Sequence, residues 1–297
     1  MNAIEIQNLN IDFGHFKIEE LNLCVRKGAI TGLIGANGAG KTTIIKTIMR
    51  AQNANGGSIL YNGKKFAGNE VEILSSVACV FDGIKFNPAA NLRKLVKIYR
   101  SVYAGFNEDK FWRLADKFSL PHELKVAKFS FGMQKKLNFI LALCQGAETL
   151  ILDEPTSGVD PFDRNEITTL LQEYMLDENH SVLFSTHITE DLDKIADYIV
   201  MLDGGKVMFD SDKESLIEKY RIVRAPTLTP ELQAVAIGVV QDMFGYTFIT
   251  KNTELSGENL QVRVPTVEEL FVHIINQRKA GGNSVNNADN YKDIFGI

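Results

Sequence analysis

Gly35-Ala36-Asn37-Gly38-Ala39-Gly40-Lys41-Thr42-Thr43 is the stretch on which the reading of this chain turns. It fits G-x-x-x-x-G-K-(S/T), a glycine-rich loop suited to cradling phosphate groups. The flanking residues supply the required context. Before it, Ala29-Ile30-Thr31-Gly32-Leu33-Ile34 reads as a short buried strand; after it, Ile44, Ile45, Ile48 and Met49 recur at helical spacing. A loop between a strand and a helix can curl successive backbone N–H groups around an anion at the helix N-terminus. Lys41 can reach the β- and γ-phosphates of a nucleotide, and the Thr42 hydroxyl can ligate Mg²⁺. Gly35, Asn37, Gly38, Ala39, Gly40, Lys41, Thr42 and Thr43 are therefore the first nucleotide-binding candidates.

The whole chain has 297 residues, room for one large domain with an appendage or for two modest ones. Its hydrophobic fraction of 45% and charged fraction of 23% are those of a soluble globular protein. A net charge of −5 argues against a non-specific nucleic-acid binder, and no nucleic-acid partner is expected. Cys24, Cys79 and Cys144 stand singly in apolar surroundings without metal-ligand spacing, as reduced core residues would. No signal peptide and no apolar run long enough to span a bilayer is legible, so a membrane role requires another chain.

In chain order, alternation over Ile4–Phe13 predicts an edge strand, and Phe16–Val25 a second strand. Phe13 precedes the phosphate loop as either a nucleobase platform or a core phenylalanine. Ile59-Leu60-Tyr61 and Val77–Phe81 read as strands, the latter stopping at Asp82-Gly83. From Pro88 to Cys144 the pattern turns helical, an insertion between strands of an α/β domain. It closes on Phe129-Ser130-Phe131-Gly132-Met133, where Ser130 can cap the next helix.

Thr149-Leu150-Ile151-Leu152-Asp153-Glu154 is a buried strand that delivers two acids at its C-terminal end, where ligands sit in parallel α/β sheets. Adjacent carboxylates repel; a Mg²⁺ held by Asp153, with Glu154 facing an attacking water, resolves the conflict. Ser157-Gly158-Val159-Asp160 is a loop before a helix from Phe162 to about Met175. Ser181–Ser185 is another core strand, with His187 at the same sheet edge as the two acids. Ile188, Leu192, Ile195 and Ile199 suggest a helix leading into the strand Tyr198–Leu202, and Asp203-Gly204-Gly205 a hairpin turn. Beyond Tyr220 the pattern weakens. Arg221–Arg224 and Leu260–Val264 look like strands, with Glu231–Tyr246 and Val267–Gln277 as helices or mixed elements. The expected organisation is a nucleotide-binding domain over 1–220 with a helical subdomain at about 85–145, a small α+β subdomain at 221–279, and a flexible tail at 280–297.

Taken together and in order, these stretches resemble the ATP-binding subunit of an ABC transporter over nearly all of residues 4–220. Gly35–Thr43 matches the Walker A loop, and Leu150–Glu154 the Walker B strand with its catalytic glutamate. Ser157–Asp160 matches the D-loop, His187 the switch histidine, and Phe13 the adenine platform. Phe129–Met133 replaces the L-S-G-G-Q signature, keeping Ser130 and Gly132; such variants resemble the exporters of drugs, lantibiotics and other peptides. Asp82 stands where the family has a glutamine.

The resemblance implies a P-loop NTPase fold of ABC type: a RecA-like core sheet, an antiparallel β subdomain and an inserted helical subdomain, with a small C-terminal α+β appendage. It implies ATP and Mg²⁺ as cofactors, with Mg²⁺ held by Thr42, Asp153 and, directly or through water, Asp82. Lys41, Glu154 and His187 would be catalytic; Phe13, Ser130, Gly132 and Asp160 would complete the nucleotide site. A second ATP-binding subunit, identical or related, and a polytopic membrane permease would be the partners, at the cytoplasmic face of the membrane. The rival expectation, a soluble ABC ATPase acting on nucleic acid or ribosomes, suits tandem domains or long coiled coils, and this chain has one phosphate loop and no sustained heptads.

Overall fold

Strands that are apolar on both faces need a sheet covered on both sides. Ile30–Gly35, Thr149–Asp153 and Ser181–Thr186 meet that condition, with every residue buried. The computed structural model describes residues 1–83 and 86–281. The chain runs β1 (Asn2–Asp12), β2 (Lys17–Arg26), β3 (Ile30–Gly35), α1 (Lys41–Ile48), β4 (Gly56–Tyr61), β5 (Lys64–Lys65), α2 (Glu70–Ser76) and β6 (Val77–Val80). The helices α3 (Leu92–Val102), α4 (Glu108–Lys117) and α5 (Phe131–Leu143) follow. Next come β7 (Thr149–Asp153), α6 (Pro161–Tyr174), β8 (Ser181–Thr186), α7 (Thr189–Ile195), β9 (Tyr198–Asp203) and β10 (Lys206–Asp212). The remainder is α8 (Lys213–Glu218), β11 (Arg221–Ala225), α9 (Pro230–Val235), β12 (Ile237–Asp242), β13 (Gly245–Thr250), β14 (Gln261–Arg263) and α10 (Val267–Gly281).

The central sheet has the order β10-β9-β3-β8-β7-β6, parallel except for the β9–β10 hairpin. Its strands alternate between two cores, as a period of two requires. Leu150, Leu152, Val182, Phe184, Ile199 and Met201 join a large cluster with the helices α3 to α7. Their neighbours Ile151, Leu183, Val200 and Leu202 face the other way, onto Ile44, Ile45 and Ile48 of α1 and onto an antiparallel sheet of order β2-β1-β4-β5. The helix bearing the phosphate loop is thus clamped between two sheets. The order β3-β8-β7 brings the C-terminal ends of three strands, far apart in sequence, to one edge.

Residues 221–281 form a four-stranded antiparallel sheet, β12-β13-β11-β14, covered by α10. Val267, Leu270 and Ile274 of that helix join the large core cluster, and the Val267 N–H donates to Asp193 Oδ1 on α7 at 3.0 Å. The helical option for Glu231–Tyr246 holds only for its first turn. After Val235 the chain enters β12 and turns back through Asp242–Gly245 into β13. Gly238 is the reason: its φ is +63°, and any Cβ there would fall 1.7 Å from the His273 carbonyl oxygen, so the backbones of β12 and α10 touch directly. Of the segment read as a tail, residues 280–281 end α10, and 282–297 lie outside the described residues, as does residue 85.

Candidate functional site

The loop after β3 leads directly into α1, whose N-cap is Gly40. Gly40 has a φ of +110°, a conformation closed to most side chains, and an added Cβ would lie 3.0 Å from the Phe16 ring. With Asn37 and Gly38 exposed and Ala39 and Gly40 buried beneath them, the loop presents backbone rather than side chains to solvent. Lys41 is 6% exposed; its Nζ donates to the Gly35 carbonyl at 2.6 Å and lies 3.8 Å from Glu154 Oε1. Burial pulls its ammonium below the ordinary lysine range, while the Glu154 and Asp153 carboxylates pull it back up.

β7 runs beside β8, and its last residue, Asp153, is 1% exposed. Its two oxygens have separate partners: Ser185 Oγ donates to Oδ1 at 3.1 Å, and Thr42 Oγ1 donates to Oδ2 at 2.9 Å. A hydroxyl and a carboxylate in contact, beside a loop shaped for phosphate, form the hard oxygen donor set that suits Mg²⁺, which otherwise keeps waters and phosphate oxygens. Thr42 and Asp153 therefore fit that ion. Among the described residues no cluster of three or more acidic, histidine or cysteine side chains offers a metal site made of protein alone.

Glu154 follows with a φ of +51°, in the left-handed region. A non-glycine residue there costs about 1–3 kcal/mol and persists only when its surroundings hold it. Its N–H donates to the Ser185 carbonyl at 2.9 Å. Its side chain is turned onto the end of β8, where Oε2 accepts from the His187 N–H at 3.3 Å and contacts His187 Nδ1 at 2.7 Å. Lys41, Thr42, Asp153, Glu154, Ser185 and His187 thus form one connected cluster. A second network backs it: Asp191 on α7, fully buried, accepts from Thr156 Oγ1 at 2.7 Å and from Arg164 Nε of α6 at 2.6 Å. This ties the loop after Glu154 to the helix after His187.

The remaining sequence-predicted residues lie outside this cluster. Phe13 is 45% exposed beside His15, not packed in the core. Ser130 caps α5 by accepting from the Met133 N–H at 3.2 Å, and Gly132 approaches Gly158. Asp160 caps α6, accepting from the Phe162 and Asp163 N–H groups. Asp82 is paired with Lys135, Oδ1 to Nζ at 3.1 Å, and among the described residues no hydrogen bond joins it to Thr42 or Asp153. Ser185 and Lys135 were not singled out from the sequence. A serine closing a buried parallel strand was a usable sign for the first; nothing local marked the second.

Residues 18–157 match the family model described as ABC transporter. The bacitracin transport ATP-binding protein BcrA of Bacillus licheniformis is 29% identical over 222 residues, 74% of this chain and 72% of that protein. The lantibiotic transport ATP-binding protein SrtF of Streptococcus pyogenes is 29% identical over 212 residues, 70% of this chain and 90% of that one. Among solved structures, an ATP-binding subunit of an ABC transporter superposes with a TM-score of 0.66 at 25% identity, covering 72% of this chain and 91% of that one.

Proposed function

We propose that this chain is an ATP-binding subunit of the ABC transporter family and that it hydrolyses ATP to drive export of peptide or other antimicrobial compounds through a membrane permease. The observation that carries the proposal is the cluster at the sheet edge. There Lys41 and Thr42 from the phosphate loop meet Asp153 at the end of β7 and Glu154 and His187 just beyond β7 and β8.

Each group has a task that its position suits. The loop amides and Lys41 bind the β- and γ-phosphates. Thr42 and Asp153 would hold Mg²⁺, which would supply neutralisation of phosphate charge. Glu154, kept off the metal pair by its turned backbone, takes the proton of the attacking water. His187 orients that carboxylate and faces the γ-phosphate, and Phe13 offers an exposed face to the adenine. Ser130, which caps α5, and Gly132 in its first turn serve the ATP of a second ATP-binding subunit, identical or related, packed head to tail. Asp160 borders the same interface. Without that second subunit the charged transition state is half surrounded, and turnover is slow.

Among the described residues no helix is long and apolar enough to cross a membrane, and this reading assigns the transport path to a permease partner. The subunit then works on the cytoplasmic face of the membrane, where its ATP is. Both antibiotic-transport relatives support export; the substrate is chosen by the permease. Affinity isolation of the tagged chain from gently solubilised native membranes, with mass spectrometry of co-eluting chains, tests the reading. A polytopic membrane protein in stoichiometric amount is expected. Recovery with ribosomes or nucleic acid and no membrane chain would overturn it.

A further inference from the structure

Lys135 lies in the second turn of α5, the helix that Ser130 caps, and is only 8% exposed. A buried ammonium must be satisfied, and this one reaches two other segments as well as its own helix. Its Nζ donates to the Glu154 carbonyl oxygen at 2.8 Å, pairs with Asp82 Oδ1 at 3.1 Å, and sits 5.0 Å above the Phe131 ring one turn earlier on its own helix. The Glu154 contact carries the argument. Glu154 is held in the left-handed region by its two peptide groups: the N–H is fixed by the Ser185 carbonyl and the C=O by Lys135. Were the carbonyl released, the residue could relax toward ordinary extended backbone, swinging its carboxylate off His187.

We infer that Lys135 is a positioning residue for ATP hydrolysis: its ammonium pins the left-handed turn at Glu154 and so aims the carboxylate that activates water. The inference rests on Glu154 being the general base. The Asp82 partner is secondary, because its side chain is 50% exposed and water can solvate it once the pair is lost. The Glu154 carbonyl would keep only the longer bond from the Ser157 N–H, 3.4 Å against 2.8 Å for Lys135. Lys135 also links the signature helix to the turn that carries the base, so a shift of α5 reaches Glu154 through one side chain.

The test is steady-state ATPase activity and ATP binding of the full-length chain, purified with the chains it associates with, for Lys135→Met, Lys135→Arg, Asp82→Asn and Glu154→Gln. Methionine keeps the length and apolar body while removing the donor. A displacement of about 1 Å at a reacting group can lower a rate about a hundredfold. Lys135→Met should therefore lower kcat between about tenfold and a hundredfold, with the KM for Mg-ATP and the directly measured ATP affinity within about twofold of wild type. Arginine, which can donate to the same carbonyl, should restore kcat to within about fivefold. Asp82→Asn should lower kcat less than Lys135→Met does, because it leaves the ammonium on the Glu154 carbonyl.

A rise in KM at unchanged kcat would overturn the inference, as would a loss in Asp82→Asn equal to that in Lys135→Met. If Glu154→Gln is inactive while Lys135→Met turns over at the wild-type rate, the positioning role alone fails. If Glu154→Gln is itself fully active, the assignment of the base fails first. Should Lys135→Met fold poorly, the Arg and Asn variants still decide between the carbonyl and the carboxylate.

Discussion

On the proposed assignment of the base, Glu154→Gln should separate chemistry from binding at this site. The substitution keeps the shape of a side chain that is 13% exposed, and the amide oxygen can still accept from the His187 N–H. Lys41 loses a carboxylate 3.8 Å away but keeps its bond to the Gly35 carbonyl and its proximity to Asp153. Removing one of two adjacent negative charges cannot weaken the pull on a triphosphate, so ATP affinity should hold or rise. What disappears is the proton acceptor. General base catalysis contributes about 10²–10⁴-fold, which at 1.36 kcal/mol per factor of ten is about 3–5 kcal/mol of barrier. Phosphate release should fall by that factor, while titration with a fluorescent ATP analogue gives wild-type or tighter binding. With turnover blocked and ATP retained, the ATP-bound dimer should persist on size-exclusion chromatography in Mg-ATP. Hydrolysis within about tenfold of wild type would refute the role of Glu154. Loss of ATP binding would refute the claim that it acts on water and not on the nucleotide.

Three further outcomes follow from the geometry. Gly40→Ala forces a side chain onto a φ of +110° and against the Phe16 ring; ATP affinity should drop at least about tenfold in the same titration. Gly238→Ala drives β12 off α10 at the His273 carbonyl, so limited proteolysis should open residues 221–281 while ATP binding stays within about threefold; unchanged protection would contradict the close backbone contact. The Cys144 thiol, 1% exposed, is pushed up to about 12 by burial; a maleimide at pH 8 should label it only after denaturant unfolding, and labelling of the native chain would contradict that burial.

The sequence by itself determined the fold class and the nucleotide chemistry. Both are written in short-range terms: a strand, a glycine loop and a helix over Ala29–Met49, and an apolar strand ending in Asp153-Glu154. Such patterns follow from backbone sterics and periodicities of 2 and 3.6 residues, which any reader of the chain can apply locally. Some of the local signals were ambiguous even so: Glu231–Tyr246 admitted a helical reading until Gly238 was seen to meet the backbone of α10. Tertiary structure alone decided who touches whom at the sheet edge. Thr42 meets Asp153 across 111 residues, and His187 meets Glu154 across 33, because the strand order β3-β8-β7 stacks their C-terminal ends side by side. Lys135 carried no local mark. Its part emerges only where α5 packs over the end of β7 and lays one ammonium against a carbonyl and a carboxylate from separate segments. A pairing of that kind depends on how elements cross in space, and the crossing is set by the packing of whole faces, which no window of sequence contains.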